Sequence, residues 1–104
     1  MITIQNTGSP NLDSIYRRSD TVISRSIAGE ALLVPLRTDV ADLDRIYALN
    51  ETAALAWQLI DGRRTLHEVL EGITEEYAVE KDQLERDLIE WVDQLVVIGA
   101  LVKE

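Results

Sequence analysis

Polar and apolar positions alternate in short runs over the first half of this 104-residue chain, then recur with a helical period almost to its end. Residues 21–27 are β-branched and partly alternating, and residues 31–36 form a second apolar run beyond the turn signal Ala28-Gly29-Glu30. Two such runs across a glycine turn predict a β-hairpin. Pro35 donates no backbone hydrogen bond, which puts it at a strand end or a sheet edge. A polar loop follows over 37–43, and residues 44–49 predict a short third strand.

Three helices follow. Asn50 suits the N-cap of the first, whose Ala54, Leu55, Trp57 and Ile60 are spaced to cover one buried face. Gly62 is the expected C′ residue. Thr65-Leu66-His67-Glu68 reads as a capping box opening the second helix, whose apolar stripe is Leu66, Val69, Leu70 and Ile73. The third helix is predicted from about 81 to 98, with Glu80 as cap and Val79 and Leu84 placed for a hydrophobic staple. Its core stripe is Leu84, Leu88, Val92 and Leu95, and Gly99 stops it. The tail Ala100-Leu101-Val102 is apolar enough to pack back or to add a strand. The expected fold is therefore α+β: a three-stranded antiparallel sheet followed by three helices, in the order of a winged helix-turn-helix. Residues 1–15, rich in Asn, Ser, Gly and Pro, are expected to form a flexible arm, with the domain spanning 16–104.

Charge narrows the partners. The formal net charge is -9, and the last third of the chain is the acidic part. A polyphosphate backbone is repelled by such a surface, so nucleic acid is not the expected ligand. A basic segment of another protein or a largely apolar peptide fits better. There is no cysteine, which removes disulfides and thiolate metal sites. The first residues lack a basic region and a long apolar run, and no stretch approaches the roughly 20 apolar residues of a membrane span. The expectation is a cytoplasmic protein away from membranes.

Catalytic patterns are missing. His67 is the single histidine, without the partners a zinc site needs. No nucleophile-elbow sequence frames a serine, no carboxylate pair sits in an apolar setting, and the glycines are too scattered to cradle phosphate. Neither enzyme activity nor a metal or cofactor is expected.

The blocks Tyr47–Ala53, Ala56–Gly62, Arg64-Thr65 with Val69, Tyr77-Ala78-Val79, Asp87–Leu95 and Gly99-Ala100-Leu101 together resemble the PqqD-like family, over roughly residues 20–102. Members are stand-alone peptide chaperones and recognition elements of ribosomally made peptide natural products. The resemblance implies a winged helix-turn-helix in which the leader of a precursor peptide docks as an extra strand on the third strand and packs against the third helix. A modifying enzyme, often a radical-SAM protein, then acts on the core peptide. The chain departs from the common pattern at Glu80-Lys81, where the family often has Ser or Asp and Pro. It also departs at apolar Val96-Val97-Ile98.

An edge strand offers unpaired amides and carbonyls to an incoming peptide, and side-chain pockets beside it give specificity. The expected backbone site is Arg45, Ile46, Tyr47 and Ala48. Alternation sends Ile46 and Ala48 to one face and Arg45 and Tyr47 to the other. The expected side-chain wall is Asp87, Trp91 and Gln94, with Leu84, Leu88 and Leu95 as floor. Trp91 is open to a core role as well as a platform role. Val96 and Val97 suit a dimer contact, an enzyme-docking face or the packing site of the tail, so the chain is expected to be a monomer or weak homodimer. The competing reading is a winged-helix adaptor or transcriptional regulator without a precursor peptide. The helix at 81–98 opposes the regulator, because it sets Asp82, Glu85, Asp87, Glu90 and Asp93 against Lys81 and Arg86.

Overall fold

A computed structural model describes residues 11–36 and 47–104. The elements run β1 (Tyr16–Arg18), β2 (Val22–Ile27), β3 (Glu30–Pro35), β4 (Tyr47–Leu49), α1 (Glu51–Leu59), α2 (Leu66–Glu76), α3 (Lys81–Val97) and β5 (Leu101–Lys103). The strands β2, β3 and β4 form an antiparallel three-stranded sheet in that order. The three helices follow it, as the sequence pattern predicts, and the arrangement is compatible with a winged helix-turn-helix. The first part of the predicted third strand, 44–46, lies outside the described residues.

The β2–β3 turn is a two-residue loop, since Ile27 pairs with Glu30. Both loop residues have positive φ, Ala28 at 54° and Gly29 at 84°. That geometry matches the twist of the flanking strands, but it suits glycine and costs alanine conformational energy.

The helix ends follow from local chemistry. Asn50 accepts from the Ala53 amide at 2.8 Å. At α2 the capping box is complete, with Thr65 Oγ1 accepting from the Glu68 amide and Glu68 Oε1 accepting from the Thr65 amide. Glu80 caps α3 with both carboxylate oxygens, which accept from the Asp82 and Gln83 amides. Gly99, at φ 83°, ends α3: its amide donates to Val96 O and that of Ala100 to Leu95 O, the paired bonds of a Schellman motif. Gly62 needs a correction. The C-cap of α1 is Ile60, so Gly62 falls one position beyond C′. Its positive φ serves the next turn, where its amide donates to Tyr16 O.

A second sheet was hidden in the sequence. β1 pairs antiparallel with β5, Tyr16 opposite Lys103 and Arg18 opposite Leu101, and an Arg17–Glu104 ion pair at 2.8 Å flanks the ladder. The apolar tail is therefore a strand. Just before β1, Ser14 O accepts from the Leu66 amide and Leu12 O from the His67 amide. These are two of the amides that an α-helix start leaves without an internal partner. Residues 12–14, expected in the arm, thus complete the α2 N-terminus.

One hydrophobic core joins these parts, with Leu33, Trp57, Leu66, Val69, Ile73, Val92 and Leu101 among its buried members. The α3 stripe Leu84, Leu88, Val92 and Leu95 is buried as predicted. Tyr77 packs half-buried against this core.

Candidate functional site: a strand edge beside a helical groove

β4 lies at the edge of its sheet, hydrogen-bonded to β3 on one side. Among the described residues no strand pairs with its other side. Residues 12–18, part of the N-terminal stretch that could have covered that edge, bond to α2, Gly62 and β5; residues 1–10 of the stretch lie outside the described residues. Leu33 pairs with Tyr47 and Ala31 with Leu49, so Tyr47 and Leu49 share the face that Leu33 turns to the core. Ala48 is on the opposite, exposed face. Tyr47 and Leu49 are thus the strand residues directed at the helices.

Between β4 and α3 lies a groove of about 570 Å³. The strand contributes Tyr47, Ala48 and Leu49; the helix contributes Trp91, Asp93, Gln94, Leu95, Val97 and Ile98. Its walls are mainly apolar, and no Lys or Arg is among these residues. A second hollow, of about 280 Å³, lies between α1 and α3. Asn50, Thr52 and Ala53 border it on one side and Asp87, Glu90, Trp91 and Gln94 on the other, above a floor that includes Leu84 and Leu88.

The predicted residues therefore divide. Tyr47, Ala48, Trp91, Gln94 and Leu95 meet at the β4 groove, whereas Leu84, Asp87 and Leu88 face the α1 hollow. Trp91 and Gln94 border both and form the ridge between them. Trp91 is half-buried and packs against the core, so it joins the core role to the wall. Arg45 and Ile46 lie outside the described residues. Leu49, Asp93, Val97 and Ile98 were missed. Leu49 follows Tyr47 by two, the same strand face; Ile98 follows Trp91 by seven and Gln94 by four, the same helix face. Val97 is the most exposed large apolar side chain, at 78%, and is a wall residue of the groove.

The electrostatics are one-sided. Asp87 Oδ1 accepts from Gln83 Nε2 at 2.9 Å, and Gln83 Oε1 in turn accepts from Arg86. The ion pairs among the described residues, Arg17–Glu104 and Arg64–Asp61, and the His67–Glu71 contact all lie away from the α3 carboxylates. Below α3, burial pushes the Tyr16 hydroxyl above its ordinary value; a Ser14 hydrogen bond opposes that rise and the Asp93 charge adds to it. Away from the groove, the Arg64 and Arg63 amides donate to Asp61 and hold its carboxyl below the ordinary range, helped by the Arg64 guanidinium. Among the described residues no group of His, Cys, Asp and Glu could hold a metal ion, and no helix is long and apolar enough to cross a membrane.

A family model described as coenzyme PQQ synthesis protein D (PqqD) matches residues 30–101. The chain belongs to the PqqD family. The match starts with β3 and ends in β5, so it includes both walls of the groove. A search of curated proteins finds no match. Among solved structures, one described as TbiB1 in complex with the TbiA(beta) leader peptide is similar to this PqqD-family chain, with a TM-score of 0.64 and 27% sequence identity. The likeness covers 82% of this chain and 93% of that one.

Proposed function

We propose that this PqqD-family chain is a peptide chaperone: it binds the leader segment of a ribosomally made precursor peptide and presents the core segment to a modifying enzyme. The observation that carries the reading is the outer side of β4, unpaired among the described residues, next to an apolar groove. The similarity to a protein solved with a leader peptide supports it.

The physics is strand addition. Alternate residues along an edge direct their N–H and C=O groups outward, so three residues offer two to four backbone hydrogen bonds. At about 0.5–1.5 kcal/mol net each, these hold a peptide without choosing its sequence. The choice comes from the groove, where an apolar leader side chain seated against Trp91, Leu95 and Ile98 would add about 1.5–3 kcal/mol. Arg45 and Ile46 would extend the pairing edge beyond Tyr47. The protein works as a binding partner, not a catalyst, in the cytoplasm, as a monomer or weak homodimer, and needs no cofactor. The enzyme it serves is of the peptide-modifying kind, such as a radical-SAM protein. The acidic α3 surface weighs against the regulator reading.

Titration of the 15N-labelled chain with a precursor leader tests this. Amides of 47–49 and of 84–98 should shift together. Shifts confined to the α1–α2 surface would reject the groove.

A further inference from the structure

The β4 groove accounts for only half of the predicted wall and floor. Asp87, Leu84 and Leu88 open instead onto the hollow between α1 and α3. Two properties define what that hollow takes. Its floor is apolar, with Ala56 and Ile73 beside the two leucines, while its rim holds Asp87 and Glu90 across from Asn50 and Thr52. Among the described residues, no Lys or Arg lines it. One oxygen of Asp87 is engaged by Gln83; among the described residues its other oxygen and the whole Glu90 carboxylate lack a bonding partner. An open hollow with an apolar floor and anionic acceptors at its rim matches a long basic side chain, whose methylene stem packs on apolar surface while its head stays at the water boundary.

The hollow also adjoins the groove. Trp91 and Gln94 line both, so a chain lying along β4 needs only to cross that ridge to enter it. Gln94 is exposed, and among the described residues its side chain has no bonding partner, so it can bond a crossing backbone.

Resting on the reading of the chain as a leader-binding protein, we infer that the α1–α3 hollow is a second subsite for the same peptide, and that it takes a Lys or Arg outside the strand-forming segment. β4 then supplies backbone pairing, the groove takes an apolar anchor, and the hollow reads a positive charge. Asp87 and Glu90 determine specificity for that charge.

The test starts from a random 15-residue display library selected on the wild-type chain, keeping peptides that shift the 47–49 amides. These should be enriched in Lys or Arg at a fixed spacing from their strand-forming residues. For one such peptide and its Lys→Gln version, affinity is measured against the wild type and the double variant Asp87→Asn/Glu90→Gln. Two exposed pairs of this kind imply a loss of roughly threefold to tenfold. That loss should appear for the basic peptide on the double variant and vanish for its Gln version, with the β4 shifts retained. Selected peptides without the basic enrichment, or an equal effect on both versions, would overturn the second subsite while leaving strand addition in place. A library that yields no peptide shifting 47–49 would overturn strand addition itself, and the subsite with it.

Discussion

Val97 separates binding from folding better than any other groove residue. Its side chain is 78% exposed at the end of α3, so it gives the unbound fold little. Val→Ser keeps the helix propensity almost unchanged, and a surface change of this kind shifts stability by less than about 0.5 kcal/mol. In the complex the situation differs. A peptide in the groove covers one side of Val97. Full burial of a Val side chain is worth about 1.5 kcal/mol at the low end, and half of that, roughly 0.8 kcal/mol, corresponds to about a fourfold weaker Kd. Fluorescence anisotropy of a labelled leader against wild type and Val97→Ser should show this loss at an unchanged melting temperature. Sedimentation of the two free proteins should show the same mass. Unchanged affinity would mean that the peptide does not reach this end of α3. A lower mass for the variant would assign Val97 to a dimer contact instead.

Other perturbations check the scaffold. Ala28→Gly should stabilise the fold by about 0.5–1 kcal/mol in urea unfolding, because glycine adopts the left-handed φ of 54° without the steric cost that alanine bears there. Thr65→Ala removes the acceptor for the Glu68 amide and should cost about 1 kcal/mol; equal stability would show that Ser14 O and Leu12 O suffice to cap α2. Asp61 has a lowered pKa in the fold, so its charged form contributes stability above the ordinary carboxylate range and loses it as the pH falls through the lowered value. Thermal melts of wild type and Asp61→Asn should therefore differ near neutral pH and converge in acid. Ala48→Pro deletes one strand amide; if that amide faces outward, the folded variant should bind the leader more weakly, and undiminished affinity would count against pairing at that position.

What the sequence made legible was mostly local. Thr65 and Glu68 announce a capping box because both of its bonds close within one turn. Leu84, Leu88, Val92 and Leu95 announce their buried face because a helix repeats its contacts every three or four residues. β1 carried no such signal. It is three residues long, two of them arginines, and its partner lies more than 80 positions away at Lys103. Only tertiary pairing makes it a strand. The displacement of Gly62 has the same origin, since its left-handed turn is set by the distant carbonyl of Tyr16 as much as by the end of α1. At the site, the spacing of Asp87, Trp91 and Gln94 gave a common flank of α3. It could not say which neighbour each would face. In space β4 flanks one part and α1 the other, so one predicted wall became two hollows with a ridge between them.

Among the described residues, the outer side of β4 is unpaired because the segments that could reach it are committed elsewhere. An edge strand invites any extended segment, the chain's own N-terminal stretch included. From Leu12 to Arg18 that stretch is bonded elsewhere: to two amides of α2, to Gly62 and to β5, with Arg17 tied to Glu104. Each bond satisfies a group that would otherwise be orphaned, so none is easily exchanged for one at β4. The same strands clamp the C-terminal end of α3 through Gly99 and Ala100, which sets Val97 and Ile98 opposite β4. The described part of β4 is only three residues long and lies beside an acidic helix, which discourages edge-to-edge pairing between copies carrying the same charge. A leader whose side chains complement that helix meets no such penalty. On the proposed reading, selectivity on this surface would come from charge and groove shape, while the backbone edge would supply attachment common to any extended peptide.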